Sequence, residues 1–123
     1  MKTIANALVA LVIVAHLGFL VLEMFFWDHP VGREMFDMTA AESAASAVLA
    51  MNQGLYNGFL AAGLAWGLWS GRVDVKVFFL ACVMVAGVFG AVTAKYTIVL
   101  VQALPALLAL TFVLLQARSD ARR

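Results

Sequence analysis

Most charged residues along this chain fall in short breaks between long apolar blocks. Spacing inside the blocks is that of helices rather than strands. A first apolar block covers 3–27 and stops at Asp28, His29, Pro30 and Gly32, where proline removes a backbone donor. Met35, Phe36 and Met38 among Arg33, Glu34 and Asp37 predict a short interfacial turn or helix. Thr39-x-x-Glu42 matches a capping box and starts a second helix near Ala40, expected over 40–69. Ser70 to Asp74 reads as a tight turn, followed by helices over 75–94 and 96–116 with Lys95 between them. The expected fold is all-α, one membrane domain over 1–123, a bundle of four transmembrane helices running up-down-up-down.

Polar residues inside the blocks change the picture. Asn52, Gln53, Tyr56 and Asn57 fall within two turns and share one arc of roughly 140° at about 100° per residue. Beside them Ser46, Ala50, Gly54, Gly58 and Ala62 recur every fourth residue, a small-residue stripe suited to close helix contact. Leu55 and Phe59 are left to face lipid. In the first block His16, Glu23 and Trp27 lie on one line, because seven residues turn a helix by about 700°. Glu23 then stands roughly 10 Å outward of His16. Gln102 precedes Pro105, which leaves the carbonyl of Val101 without its usual helical donor. Matched by depth, His16, Glu23, Trp27, Asn52, Gln53, Tyr56, Asn57 and Gln102 are expected to line an outward-facing polar pocket. Intramembrane ionisable groups are costly and commonly face a bundle interior, which makes them candidates for function.

Composition supports a membrane setting: 65% of the 123 residues are hydrophobic and 12% charged, against roughly 45–50% and 25% in soluble domains. At about 20 residues per crossing there is room for four helices and little else. Residues 1–27 resemble a signal peptide only superficially. The apolar run is too long and Glu23 to Trp27 offers no small-residue cleavage site, so an uncleaved crossing is expected. Of eight basic residues, Lys2, Arg72, Lys76, Arg118, Arg122 and Arg123 fall on the side of the termini, and Arg33 and Lys95 on the other. That bias predicts a plasma membrane protein, of the inner membrane in a bacterium, with both termini cytoplasmic. Trp27 then joins the outer aromatic belt, and Trp66 and Trp69 the inner one.

The chemistry this excludes is as informative. A net charge of +1 without a basic run gives no reason to expect nucleic acid. Cys82 is alone, so no disulfide forms within the chain. His16 and Glu23 are too far apart to share an ion, and no second histidine or thiolate pair lies in the apolar blocks, so neither a metal nor a cofactor is expected. No serine–histidine–acid set or phosphate loop is present, and no catalytic residue is assigned.

Three stretches carry a resemblance: His16-x6-Glu23-Met24-Phe25-x-Trp27, the run from Asn52 to Leu64, and Val101-Gln102-Ala103-Leu104-Pro105-Ala106. They are similar to a bacterial family of small four-helix membrane proteins, the domain of unknown function 1304 family, over nearly the whole chain. The resemblance implies a four-crossing inner-membrane protein and brings no activity with it.

Two functions compete. One is a binding or transport module for a small polar or amphiphilic ligand, with Glu23 or His16 coupling protonation to occupancy. The alternative is an enzyme doing acid–base chemistry on a lipophilic, isoprenoid- or quinone-like substrate, with Trp27 stabilising a cation. The spacing of Glu23 and His16 suits two ends of an extended substrate better than one reacting bond. Small multidrug exporters share the length and a first-helix glutamate, but the charge bias opposes dual topology. Membrane lipids are the expected surroundings, and Gly54 and Gly58 could pair the chain with a second copy or another subunit. For Glu23, a simple ion pair with Lys95 is the structural alternative.

Overall fold

We describe residues 1–122 of a computed structural model; Arg123, counted above among the basic residues, lies outside them. Among the described residues there are five α-helices, one π-helical turn and no strand. The helices are α1 (Lys2–Phe25), α2 (Pro30–Phe36), α3 (Ala40–Trp69), α4 (Val73–Thr93) and α5 (Leu104–Asp120). The π turn, Val99–Ala103, leads directly into α5. Three stretches are long and apolar enough to cross a membrane: Lys2–Phe25, Val73–Thr93 and Val99–Asp120. α3 has 30 residues but falls short by composition, since Asn52, Gln53, Asn57, the glycines and the tryptophans dilute its hydropathy. By this measure three helices qualify where four crossings were expected.

The helix ends follow local rules. His29 caps α2, its Nδ1 accepting from the Val31 N–H at 3.3 Å, with Pro30 at the first position. Asp37 takes the left-handed conformation (φ 54°) that closes α2, and the Met38 N–H reaches back to the Arg33 carbonyl at 2.9 Å. Thr39 and Glu42 form the capping box in full. The Thr39 N–H donates to Glu42 Oε2 at 2.8 Å, and the Glu42 N–H to Thr39 Oγ1 at 3.2 Å. Gly71, at φ +69°, turns the chain after α3.

The chain divides into two compact units, residues 16–59 and Met1–Ala15 together with the chain from Leu60 on. In the second, α1, α3, α4 and α5 contribute to one core. Val9, Val12, Leu64, Leu80, Val83 and Val113 are almost fully buried, each at the three- or four-residue spacing of its helix. Close approach is bought with small residues: a Cβ on Gly87 would meet the backbone of Ala103 at 2.8–3.1 Å. The π turn sits at that contact. Pro105 has no N–H to offer Val101, and the Leu104 N–H bonds the carbonyl of Val99 five residues back. The helix widens over this one turn and continues through the proline without breaking.

In the unit of residues 16–59, α2 is held back against the start of α3 by a polar knot. The Arg33 guanidinium bonds Asp28 Oδ1 at 2.6 Å, and its Nε donates to the buried Ser43 hydroxyl at 3.0 Å. That hydroxyl donates to Asp28 at 2.7 Å. Arg33 first, and Ser43 next, hold the Asp28 carboxyl below the usual carboxylate range. A carboxylate with a lowered folded-state pKa stabilises the fold above its ordinary value and loses that contribution as pH falls through the lower one.

Three outcomes are expected. Gly87→Val lowers unfolding stability in detergent by about 1–3 kcal/mol through overpacking. Gly18→Ala, where nothing lies within 4 Å of the new Cβ, changes it by less than about 0.5 kcal/mol. Thermal midpoints of the wild type and Asp28→Asn differ at neutral pH, and the difference shrinks as pH drops below about 4 and through the lowered value of the folded carboxyl. A constant difference across that range would contradict the role given to Asp28.

Candidate functional site

The polar arc of α3 is divided by its packing. Ala50 and Gly54 are buried, and a Cβ on Gly54 or Gly58 would run into Met24, Glu23 or Leu20 of α1. The small-residue stripe is therefore spent on contact between α1 and α3 within one chain. That contact places Asn57 beside Glu23, and Asn57 Nδ2 donates to Glu23 Oε2 at 2.7 Å, part-buried. The distance is that of a short, well-formed hydrogen bond. The partner is a neutral amide, which orients the carboxyl group and brings no counter-charge.

Asn52, Gln53 and Tyr56 take a different course. All three are exposed, Tyr56 at 54%, and they run round α3 away from the α1 contact. Tyr56 leans on Phe59, with ring centroids 6.1 Å apart. Within residues 16–59 the structure thus joins Glu23 to Asn57 and leaves the other amides as an open strip beside that pair. Trp27, one turn beyond Glu23 in sequence, is half-buried. Its indole Nε1 donates to Ser46 Oγ at 2.9 Å and its ring lies 4.8 Å from that of Phe36. His16 is 1% exposed and meets Phe19 edge-on at 5.4 Å. Gln102 belongs to the other unit, where its amide donates to the Val83 carbonyl at 3.4 Å.

Sequence reasoning gave Ser46 only a packing role and did not join Ser43, Asp28 and Arg33. The one available signal was a string of short polar side chains on the face of α3 that also carries Ala50 and Gly54. Among the described residues no group of three or more histidine, cysteine or acidic side chains gathers to hold a metal.

A family model described as Protein of unknown function (DUF1304) matches residues 10–114. No curated protein and no solved structure matches the chain.

A double-mutant cycle on Glu23→Ala and Asn57→Ala is expected to show a coupling of about 0.6 kcal/mol, and no more than about 1.7 kcal/mol, in detergent unfolding. Strict additivity would mean the pair does not interact.

Proposed function

The chain belongs to the DUF1304 family, whose function is unknown, and we propose that it is a four-span membrane protein that binds a small amphiphilic ligand. The observation that carries this is the bond between Glu23 and Asn57. A carboxylate on an apolar, membrane-length helix is expensive, and a neutral amide leaves its charge unanswered. A ligand with a cationic or strongly donating head group completes the pair. Its polar part extends along Gln53 and Asn52, and its apolar part lies on Tyr56 and Phe59, all of which are exposed. Trp27 stands at the outer end of this strip, and His16 lies roughly 10 Å deeper along α1 than Glu23.

α3 counts as the fourth crossing in this reading. Its 30 residues span about 45 Å, enough for the hydrocarbon and one headgroup layer. Amides that would be costly facing lipid are then the ligand's contacts. The basic residues place both termini and the turn after α3 in the cytoplasm, and Arg72 over the Trp66 ring at 5.4 Å suits the inner interface.

Two measurements check this. In a chain with Trp66→Phe and Trp69→Phe, titration with a lipophilic cation such as tetraphenylphosphonium gives saturable quenching of Trp27. The quenching disappears in Glu23→Gln and is absent with a zwitterionic amphiphile. Non-saturable quenching, or quenching unchanged in Glu23→Gln, contradicts the site. For topology, single cysteines at Glu34 and Ser70 are placed on a Cys82→Ala background. An impermeant maleimide reaches the first in intact cells and the second only after permeabilisation.

A further inference from the structure

We propose that the groove at the C-terminal end of α5 binds the phosphate of an anionic membrane lipid. The groove, about 490 Å³, is lined by Met1, Leu115, Arg118, Ser119 and Arg122. Arg118 lies in the last turn of α5 and Arg122 two residues past its end, and both line the groove. Leu115 lies one turn earlier and is 44% exposed.

Depth selects the ligand. The apolar stretch that ends in α5, Val99–Asp120, has 22 residues and a length of about 33 Å, close to the roughly 30 Å of a hydrocarbon layer. Arg118 in the last turn and Arg122 just past it then stand at the level of lipid phosphates, with Leu115 a turn inside. Along the helix the groove passes from apolar to cationic in the same order as a phospholipid passes from acyl chain to head group. The guanidinium fork matches phosphate oxygens in pairs, and the Ser119 hydroxyl adds a donor.

Among the described residues neither guanidinium is paired with a carboxylate. Asp120 is turned to the opposite side of α5, where Gln116 Nε2 donates to it at 3.4 Å. The partial negative charge at the helix C-terminus, about half an elementary charge, favours arginines there and opposes an anion only weakly against two full positive charges. The inference requires α5 to cross the membrane. It requires neither the Glu23 ligand nor the four-span topology, so it stands or falls separately from them.

The test uses the full chain in nanodiscs of phosphatidylcholine with a minor share of phosphatidylglycerol, followed by native mass spectrometry of the lipids retained. Wild type is expected to keep phosphatidylglycerol in preference to phosphatidylcholine. The variant Arg118→Gln/Arg122→Gln is expected to lose about thirtyfold in that preference, each juxtamembrane arginine being worth roughly a factor of five. Arg72→Gln, at the same membrane face, keeps it. The proposal is overturned if wild type shows no preference, or if Arg72→Gln loses as much as the double variant. It is also overturned if inorganic phosphate raises the thermal midpoint in detergent while short-chain phosphatidylglycerol does not. A double variant that unfolds in phosphatidylcholine is replaced by the single variants, each expected to lose about fivefold.

Discussion

A carboxylate and an amide set the constraint around which residues 16–59 are arranged. For Asn57 Nδ2 to reach Glu23 Oε2 at 2.7 Å, α1 and α3 must approach closely. The approach is possible because Gly54 and Gly58 present no Cβ to Leu20, Glu23 and Met24. Close helix contact without a hydrophobic driving force depends on such small residues, and an interhelical hydrogen bond adds a modest but directional contribution. The amide then fixes where the carboxyl group points and brings no counter-charge to it.

The same economy governs the backbone. Water is not available in a bilayer core to satisfy a stray carbonyl or N–H, so each irregularity must be absorbed locally. The wide turn before Pro105 shifts to bonds five residues back, and it does so where Gly87 lets α4 come close. At the C-terminal end of α1 the irregular chain is held by side chains. Asp28, Arg33 and Ser43 tie α2 down, and Trp27 is pinned by Ser46. The polar groups on α3 are thus of two kinds, those that fasten this end together and those that remain open.

Much of the secondary structure was legible, because it rests on local chemistry. Pro30, the pairing of Thr39 with Glu42 and the lost donor at Val101 each act within a few residues. The site was legible only as a set of residues. Helical spacing gives the width of the arc from Asn52 to Asn57, but not the angle at which α1 meets it. α1 docks on the Ala50 and Gly54 side, so Asn57 is drawn into the contact while Asn52, Gln53 and Tyr56 stay exposed. The knot ties Ser43 to Arg33 and Asp28, 10 and 15 residues earlier in sequence. It exists only once α2 folds back, which no local pattern announces. Hydropathy leaves α3 out of the membrane-length set, since its amides lower the apolar score.

The most direct test of this account is the approach of Glu23 to Asn57 in a lipid bilayer. Rotational-echo double-resonance NMR can read it, with the glutamate carboxyl carbons and the asparagine side-chain nitrogens isotopically labelled. The account predicts strong dephasing from a hydrogen-bonded pair, abolished in Asn57→Leu. Equal, weak dephasing in the wild type and the variant would show that the two side chains do not meet, and would contradict it.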